Sequence, residues 1–309
     1  MPHWKYYAYS YKALSYLPLG VHLRRLYRLH VSRELSADAH LIFVGMEYAN
    51  WYLRQHQRYG KSPERNPRIL ELPAGHFPTT AICLYLNGLD EIYTADRRRY
   101  VNLLRIRQML KKFIRLFDSD KLRLYGTWFL EERMERLRDL YYDNKFSSPD
   151  DLLNAMNIRL CSGDPRKLDL PDHFFDIVGT NNYLEHFSRT DLARVLKELK
   201  RLGKPGGISS HLVYMGDRYR YLDNQIPPLN FLKFSRLEWW FYNNEILYQS
   251  RLRVTDYLAA FEHAGFGMLD LKRFHLQHKA MSALRRSRKF LKYDLLDAGT
   301  VRAWVTLRT

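Results

Sequence analysis

Residues 68–78 read Arg-Ile-Leu-Glu-Leu-Pro-Ala-Gly-His-Phe-Pro. The run Arg68–Leu72 is short and apolar, which predicts a strand, and the residues after it form a turn. Thr80–Leu86 then reads as a helix and Glu91–Ala95 as a second strand. A strand, a turn, a helix and a second strand within thirty residues is the opening of an α/β unit.

The pattern continues outward from there. Between Tyr100 and Phe117, apolar residues recur at Leu103, Ile106, Leu110, Phe113 and Phe117, with Arg and Lys opposite, which is helical spacing. Residues 118–155 read as irregular helix and as an insertion. Asn157–Cys161 and Phe175–Thr180 are a third and a fourth strand. Thr190–Leu202 is a helix opened by a Thr cap and stopped at Gly203 and Pro205. Ile208–Tyr214 is a fifth strand. A proline-rich and aromatic insertion covers about 215–250, followed by a helix over Val254–Ala264. Met268–Arg273 and Val301–Leu307 are two further strands around a basic helix near Met281–Leu291. Strands alternating with helices predict a doubly wound, seven-stranded, mostly parallel α/β sheet. The polar, proline-bounded stretch Ser62–Pro67 separates it from an N-terminal extension, giving units of 1–65 and 66–309.

Composition narrows the function classes. The 309 residues are 46% hydrophobic and 27% charged, which excludes disordered and fibrous chains. Cys83 and Cys161 have no metal or redox spacing, so there is no disulfide scaffold and no metal site, and a reducing, cytoplasmic setting is expected. No apolar run is long enough to span a bilayer, and the N-terminus lacks a signal-peptide core. The net charge is +17, and it is unevenly spread. Residues 1–65 contribute +6 and residues 272–309 contribute +8, so the central two-thirds is nearly balanced. Trp4, Tyr6, Tyr7, Tyr9, Tyr11 and Tyr16 precede a stretch from Val21 to Leu29 in which Arg24, Arg25 and Arg28 mix with apolar residues. Such a helix either packs on the core with its arginines in water or lies on an anionic bilayer, so peripheral membrane contact is one expectation. No nucleic-acid recognition motif accompanies the charge, which argues against a nucleic-acid partner.

Ligands of open α/β sheets bind at the carboxyl ends of the strands, so those ends carry the chemistry. They read Glu71-Leu72-Pro73-Ala74-Gly75-His76-Phe77 after the first strand and Asp96 after the second. Ser162-Gly163-Asp164 follows the third, and Asn181-Asn182-Tyr183-Leu184-Glu185-His186 the fourth. Lys204-Pro205-Gly206-Gly207 precedes the fifth. In this order and spacing the sequence resembles the class I S-adenosylmethionine-dependent methyltransferases, from about Arg68 to Arg308. The stretches H-L-V-Y-M-G-D-R-Y, P-P-L-N-F-L-K-F-S and S-R-L-R-V-T-D-Y resemble a bacterial subgroup with an elaborated region after the fifth strand.

The resemblance implies a Rossmann-like methyltransferase fold, S-adenosylmethionine as cofactor, and a set of cofactor residues. Ala74 and Gly75 would line the methionine part, and Glu71 would orient the loop or, through water, the ammonium. Asp96 would accept from the ribose hydroxyls, as a carboxylate fork can. Asp164, beside Ser162 and Gly163, would accept from the adenine amine, and Asn181 would bring backbone near the methyl path. The loop departs from the usual E-x-G-x-G-x-G at Pro73 and Phe77, where glycines are common. Asp96 and Asp164 also have plain readings, as a helix cap and a turn residue.

Methyl transfer needs an aligned nucleophile and often a base. His186, His211, Tyr183, Tyr214 and Asp217 are the candidates near the active face, with His186, His211, Tyr214 and Asp217 taken as the catalytic set. His186 also reads as a packing residue of the strand-end loop, and His211 as a satisfied core histidine. The aromatic stretch Pro227–Asn243 reads either as a substrate lid or as the core of an inserted subdomain. The leading function is methyl transfer to a small-molecule or glycan-type acceptor. The competing functions are an RNA or protein methyltransferase, disfavoured by the lack of an N-P-P-[YF]-type motif, and a silent methyltransferase-fold scaffold. A nicotinamide dehydrogenase is excluded, because G-x-G-x-x-G is missing.

Overall fold

The computed structural model describes residues 3–20, 38–61, 66–123, 129–143 and 145–309. The basic stretch Val21–Leu29 and most of the linker at 62–67 lie outside the described residues.

Seven strands form one sheet: β1 (Ile69–Leu72), β2 (Ile92–Asp96), β3 (Ile158–Ser162), β4 (Phe175–Asn181), β5 (Gly203–Tyr214), β6 (Gly267–His275) and β7 (Thr300–Arg308). Their order is β3-β2-β1-β4-β5-β7-β6. Strands β1 to β5 pair in parallel, and β7 runs antiparallel to both β5 and β6. The doubly wound, mostly parallel sheet expected from the alternation is therefore present. Chain order reverses between β1 and β4, so the crevice for a ligand opens where those two strands end.

Strand alternation sends side chains to two apolar cores. On one face, Ile69, Ile92, Ile158 and Ile177 pack against helices α2 (Ala39–Tyr59), α3 (Thr79–Leu86), α4 (Leu103–Asp118), α5 (Glu131–Tyr142) and α6 (Pro149–Asn154). On the other, Leu70, Leu72, Val178 and Val213 meet α7 (Arg189–Leu202) and α9 (Val254–His263). A third, separate core holds Trp4 and Ala8 of α1 (His3–Tyr16), Tyr219, Phe231, Phe234, Phe290, and Trp239 and Tyr242 of α8 (Arg236–Tyr242). The aromatic stretch after β5 is thus largely the interior of an inserted subdomain. Trp240 and Phe241 are exceptions, facing outward.

Local details differ from expectation in four places. The cap of α7 is Ser188, whose hydroxyl accepts from Asp191 N, and not Thr190. Strand β5 starts at Gly203, so Lys204-Pro205-Gly206-Gly207 lies inside it, at a register shift against β4. The basic stretch 281–291 is not one helix. It is the end of α10 (His278–Ser282) followed by a single 3₁₀ turn over Arg288–Phe290. Consecutive cations at 285, 286, 288 and 289 oppose a continuous helix, and Ser287 N is drawn instead to the carbonyl of Leu232. Helix α11 (Leu295–Gly299) then leads into β7. The fourth difference is α2, which the sequence reading folded into an undivided extension. Its N-cap Asp38 accepts from His40 N at 3.3 Å, and it buries Ile42, Met46, Ala49 and Tyr52 against the sheet.

Candidate active site

Gly75 follows β1 with φ +62°, a left-handed turn, and a Cβ there would meet no atom within 4 Å. The loop therefore presents bare backbone to open space. Its N–H donates to Oδ2 of Asp96 at 3.0 Å, and Ala74 N donates to the carbonyl of Ala95 at 2.9 Å. Asp96 is buried, which raises its carboxyl above the usual range against the opposing backbone N–H groups of Gly75, Arg97 and Arg98. Behind it, Glu71 is buried and accepts from Thr94 Oγ1 at 2.5 Å. Burial outweighs that bond and pushes Glu71 up to about 8, so it stands protonated at neutral pH and orients the strand end from within.

Ser162 pairs in register with Asp96, and Gly163 N donates to the Asp96 carbonyl at 3.1 Å. Asp164 differs from expectation. Its carboxylate is gripped by Arg166, from Nε at 2.9 and 3.1 Å and from Nη2 at 2.6 Å. That guanidinium, which also reaches Asp191 at 2.9 Å, holds Asp164 down at about 2.

Asn181 ends β4 beside the same opening. Its Oδ1 accepts from the Tyr52 hydroxyl at 2.6 Å, and its side chain also bears on the buried Glu71 carboxyl, which it helps to hold down. Next to it, Asn182 takes φ +49° and donates from Nδ2 to the Tyr48 hydroxyl at 2.9 Å. Helix α2 thereby contributes two tyrosines to the strand-end loop. A cavity of about 250 Å³ lies here, walled by Leu41, Val44 and Tyr48 of α2, by Pro73–Phe77, by Thr79 and Thr80, and by Asn181.

Three of the four catalytic candidates have other work. His211 is fully buried, with Thr180 Oγ1 at 2.9 Å from Nδ1, Ser209 Oγ at 2.9 Å from Nε2, and Phe261 stacked at 5.0 Å. Burial pushes it down to about 3. It belongs to the core under α9, because its position in β5 points to that face together with Val213. Asp217 is also fully buried; its Oδ1 accepts from Tyr219 N at 2.9 Å and its Oδ2 from Asn230 Nδ2 at 3.2 Å, so it anchors the inserted subdomain. Burial pushes its carboxyl up to about 6. His186 accepts at Nδ1 from Arg218 Nη1 at 3.1 Å, and burial, helped by that cation, pushes it down to about 3. Tyr214 ends β5 with its ring 5.9 Å from that of Tyr221, its hydroxyl raised by burial. Tyr183 is buried near Asp96, which raises its hydroxyl further after desolvation. None of His186, His211, Tyr214 and Asp217 lines the cavity.

His76 does line it, and the sequence reading passed it over. Its Nδ1 lies 2.9 Å from Arg105 Nη1 and its ring 4.8 Å from that of Tyr100. An arginine only donates, so Nδ1 accepts and the ring proton of the neutral imidazole sits on Nε2. Tyr48 and Tyr52 were missed as well. The available signal was the helical spacing of Ile42, Met46, Ala49 and Tyr52 after a capping Asp38. Among the described residues no cluster of His, Cys, Asp and Glu could hold a metal ion, and no helix is long and apolar enough to cross a membrane.

Residues 112–210, from α4 into β5, match the family model of a methyltransferase domain. No curated protein matches the chain. Among solved structures, it is similar to 1,6-didemethyltoxoflavin-N1-methyltransferase of Burkholderia thailandensis, with bound 1,6-didemethyltoxoflavin and S-adenosylhomocysteine. Identity there is 15%, with 94% of this chain and 87% of that one covered, at a TM-score of 0.47. An S-adenosylmethionine-dependent methyltransferase of Mesorhizobium loti is 18% identical over 84% of this chain and 98% of its own, at 0.42. One from Methanosarcina mazei is 12% identical over 82% and 95%, at 0.44. Residues 112–210 are thus similar to a methyltransferase domain, and they sit in a seven-stranded, mostly parallel α/β sheet.

Proposed function

We propose that the chain transfers a methyl group from S-adenosylmethionine to a small-molecule acceptor held between the Ala74–Phe77 loop and helix α2. The observation that carries this reading is the cavity of about 250 Å³, which has the Gly75 backbone, Asn181 and α2 on its walls. It is a partly open pocket of a size for a compact molecule.

The residues present fit the cofactor. Open space at Gly75 admits close approach, Asp96 supplies a carboxylate for vicinal hydroxyls, and Asn181 brings the end of β4 to the same opening. When bound, the cofactor supplies an electrophilic methyl on sulfur. Held beside Gly75, Asp96 and Asn181, it would give that methyl to an acceptor lone pair and leave as the neutral thioether. Leu41, Val44 and Phe77 exclude water and align the acceptor, and such positioning lowers the barrier. Because Arg105 donates to its Nδ1, His76 does not take the acceptor's proton at that nitrogen. That favours an acceptor with a lone pair already free, such as a ring nitrogen or an ionised oxygen, whose remaining proton leaves to water.

Calorimetric titration with S-adenosylmethionine and S-adenosylhomocysteine tests the reading. Saturable binding that Asp96→Ala weakens about tenfold to a hundredfold is expected. Absence of heat at millimolar cofactor would overturn it and leave a scaffold on a methyltransferase fold.

A further inference from the structure

Two cavities larger than the one at the strand ends lie away from it, and one of them combines two independent features. It measures about 650 Å³ and opens between α1 and α8, in the subdomain inserted after β5. Lys12, Arg236, Arg251 and Lys289 line it, against the single carboxylate of Glu245. Among the described residues, none of these four cations is hydrogen-bonded or ion-paired to a carboxylate. Arg251 is buried and donates only to carbonyls, those of Phe231 at 3.3 Å, Phe234 at 2.8 Å and Ser235 at 3.5 Å. Lys12 sits 3.8 Å from the centre of the Trp240 ring and donates to the Trp240 and Asn243 carbonyls. Carbonyls satisfy the geometry of these two groups, while the carboxylates of Asp217 and Glu238 act on Arg251 only at longer range, without a hydrogen bond. Partial burial, and then the charges of Arg251 and Arg189, push Lys289 down to about 8 against the opposing carboxylate of Asp256. Another donor, Trp239 Nε1, lies buried at this cavity with no partner.

The second feature is the rim. Tyr16, Leu237 and Trp240 line the mouth and are 71%, 71% and 56% exposed. Leu17, Leu19 and Phe241, close to them in sequence, are also exposed. Large exposed Trp, Tyr and Leu around a positive cavity match the interfacial layer of a bilayer, where amphipathic rings sit among headgroups. The chain continues from α1 into residues 21–37, which hold four arginines and one acid.

We propose that the α1–α8 face docks on a membrane leaflet containing anionic lipid, with a headgroup phosphate in the cationic cavity and Tyr16, Leu237 and Trp240 entering the headgroup layer. Phosphate suits the cavity because it accepts several charge-assisted hydrogen bonds at once. The rim chooses a lipid over a free phosphate, since a soluble anion makes no use of exposed apolar side chains. It also disfavours a nucleic-acid strand, whose backbone would meet Leu237 and Leu19 without compensation. The site is independent of the reading of the cofactor crevice.

The test is cosedimentation of the full chain with phosphatidylcholine vesicles, with and without about one third phosphatidylglycerol. Four variants accompany it: Arg236→Glu, Lys289→Glu, Leu237→Ser and Trp240→Ser. All four side chains are exposed and so leave the fold intact, which circular dichroism and melting temperature check. Binding to the anionic vesicles alone is expected, weakened about tenfold by each variant. Undiminished binding of the variants overturns the proposal. So does calorimetric binding of inorganic phosphate at this cavity with no vesicle binding, which would assign it to a soluble ligand. Loss of single-stranded RNA binding in the same variants, with vesicles ignored, would overturn it in favour of nucleic acid.

Discussion

The backbone N–H of Gly75 donates to Oδ2 of Asp96 at 3.0 Å, joining the turn after β1 to the acid that ends β2. The two residues on which a ribose and a methionine chain would depend are thus one mechanical unit. Asp96→Ala removes the fork and its link to the loop, and a hydrogen bond to a charged group contributes about 1.5–3 kcal/mol. Cofactor affinity is expected to fall by about tenfold to a hundredfold in calorimetry. Asp164→Ala should cost less, because Arg166 already engages that carboxylate at 2.6–3.1 Å.

Gly75→Ala separates the loop's conformation from its function. A left-handed φ of +62° costs an alanine about 1–2 kcal/mol. The added Cβ meets no protein atom within 4 Å, so it occupies ligand space. A small drop in melting temperature with a larger loss of cofactor affinity is the expected outcome. An equal loss of both would assign the glycine to the fold alone.

Tyr52 and Gly179 form a tight pair. A Cβ at Gly179 would overlap the buried phenol ring of Tyr52, whose hydroxyl holds Asn181 at 2.6 Å. Gly179→Ala should destabilise the chain by about 1–3 kcal/mol through overpacking. Tyr52→Phe leaves Asn181 Oδ1 unpaired at a cost of about 1–3 kcal/mol. Urea unfolding measures both, and neutrality of either variant would contradict the packing described.

Stability should depend on pH in two opposing ways. Burial raises Glu71 and Glu185 to about 8 from 4.5, so the folded state keeps protons that the unfolded chain releases. That contribution is complete below about pH 4.5 and is lost as pH rises through 8. His186 and His211, lowered to about 3 from 6.5, act in reverse; their contribution is present above pH 6.5 and is lost as pH falls through 3. Between pH 4.5 and 6.5 the two pairs oppose each other, and above 6.5 only the glutamates act. Unfolding free energy should therefore decline from pH 6.5 to 8, with a slope of at most about 1.4 kcal/mol per pH unit for each glutamate. Glu71→Gln should halve that slope, and an unchanged slope would refute the buried, protonated state.

Much of the fold was legible because strand alternation and strand-end residues are local signals. Ile69, Leu70 and Leu72 before a turn at Gly75, Asp96 after Ile92–Ala95, and Phe175–Thr180 before Asn181 mark strands and their ligand-facing ends within a few residues each. Local order also made the methyltransferase resemblance visible. The tertiary structure decided which side chains meet. His211 and Asp217 look catalytic in a linear reading, and both turn out to be satisfied by partners on other elements. Thr180 and Phe261 enclose the histidine, and Tyr219 and Asn230 bind the aspartate. Tyr52 and Asn181 stand 129 positions apart, so no spacing rule could pair them. The +17 charge was countable from composition, but its meaning depended on packing. Acids pair with Arg166 and Arg201 on α7's side of the sheet, whereas Lys12, Arg236, Arg251 and Lys289 converge on one cavity with no carboxylate hydrogen-bonded or ion-paired to them among the described residues. Composition counts charges, and only packing determines which of them are left unneutralised, because a neighbour's distance is a property of the folded chain.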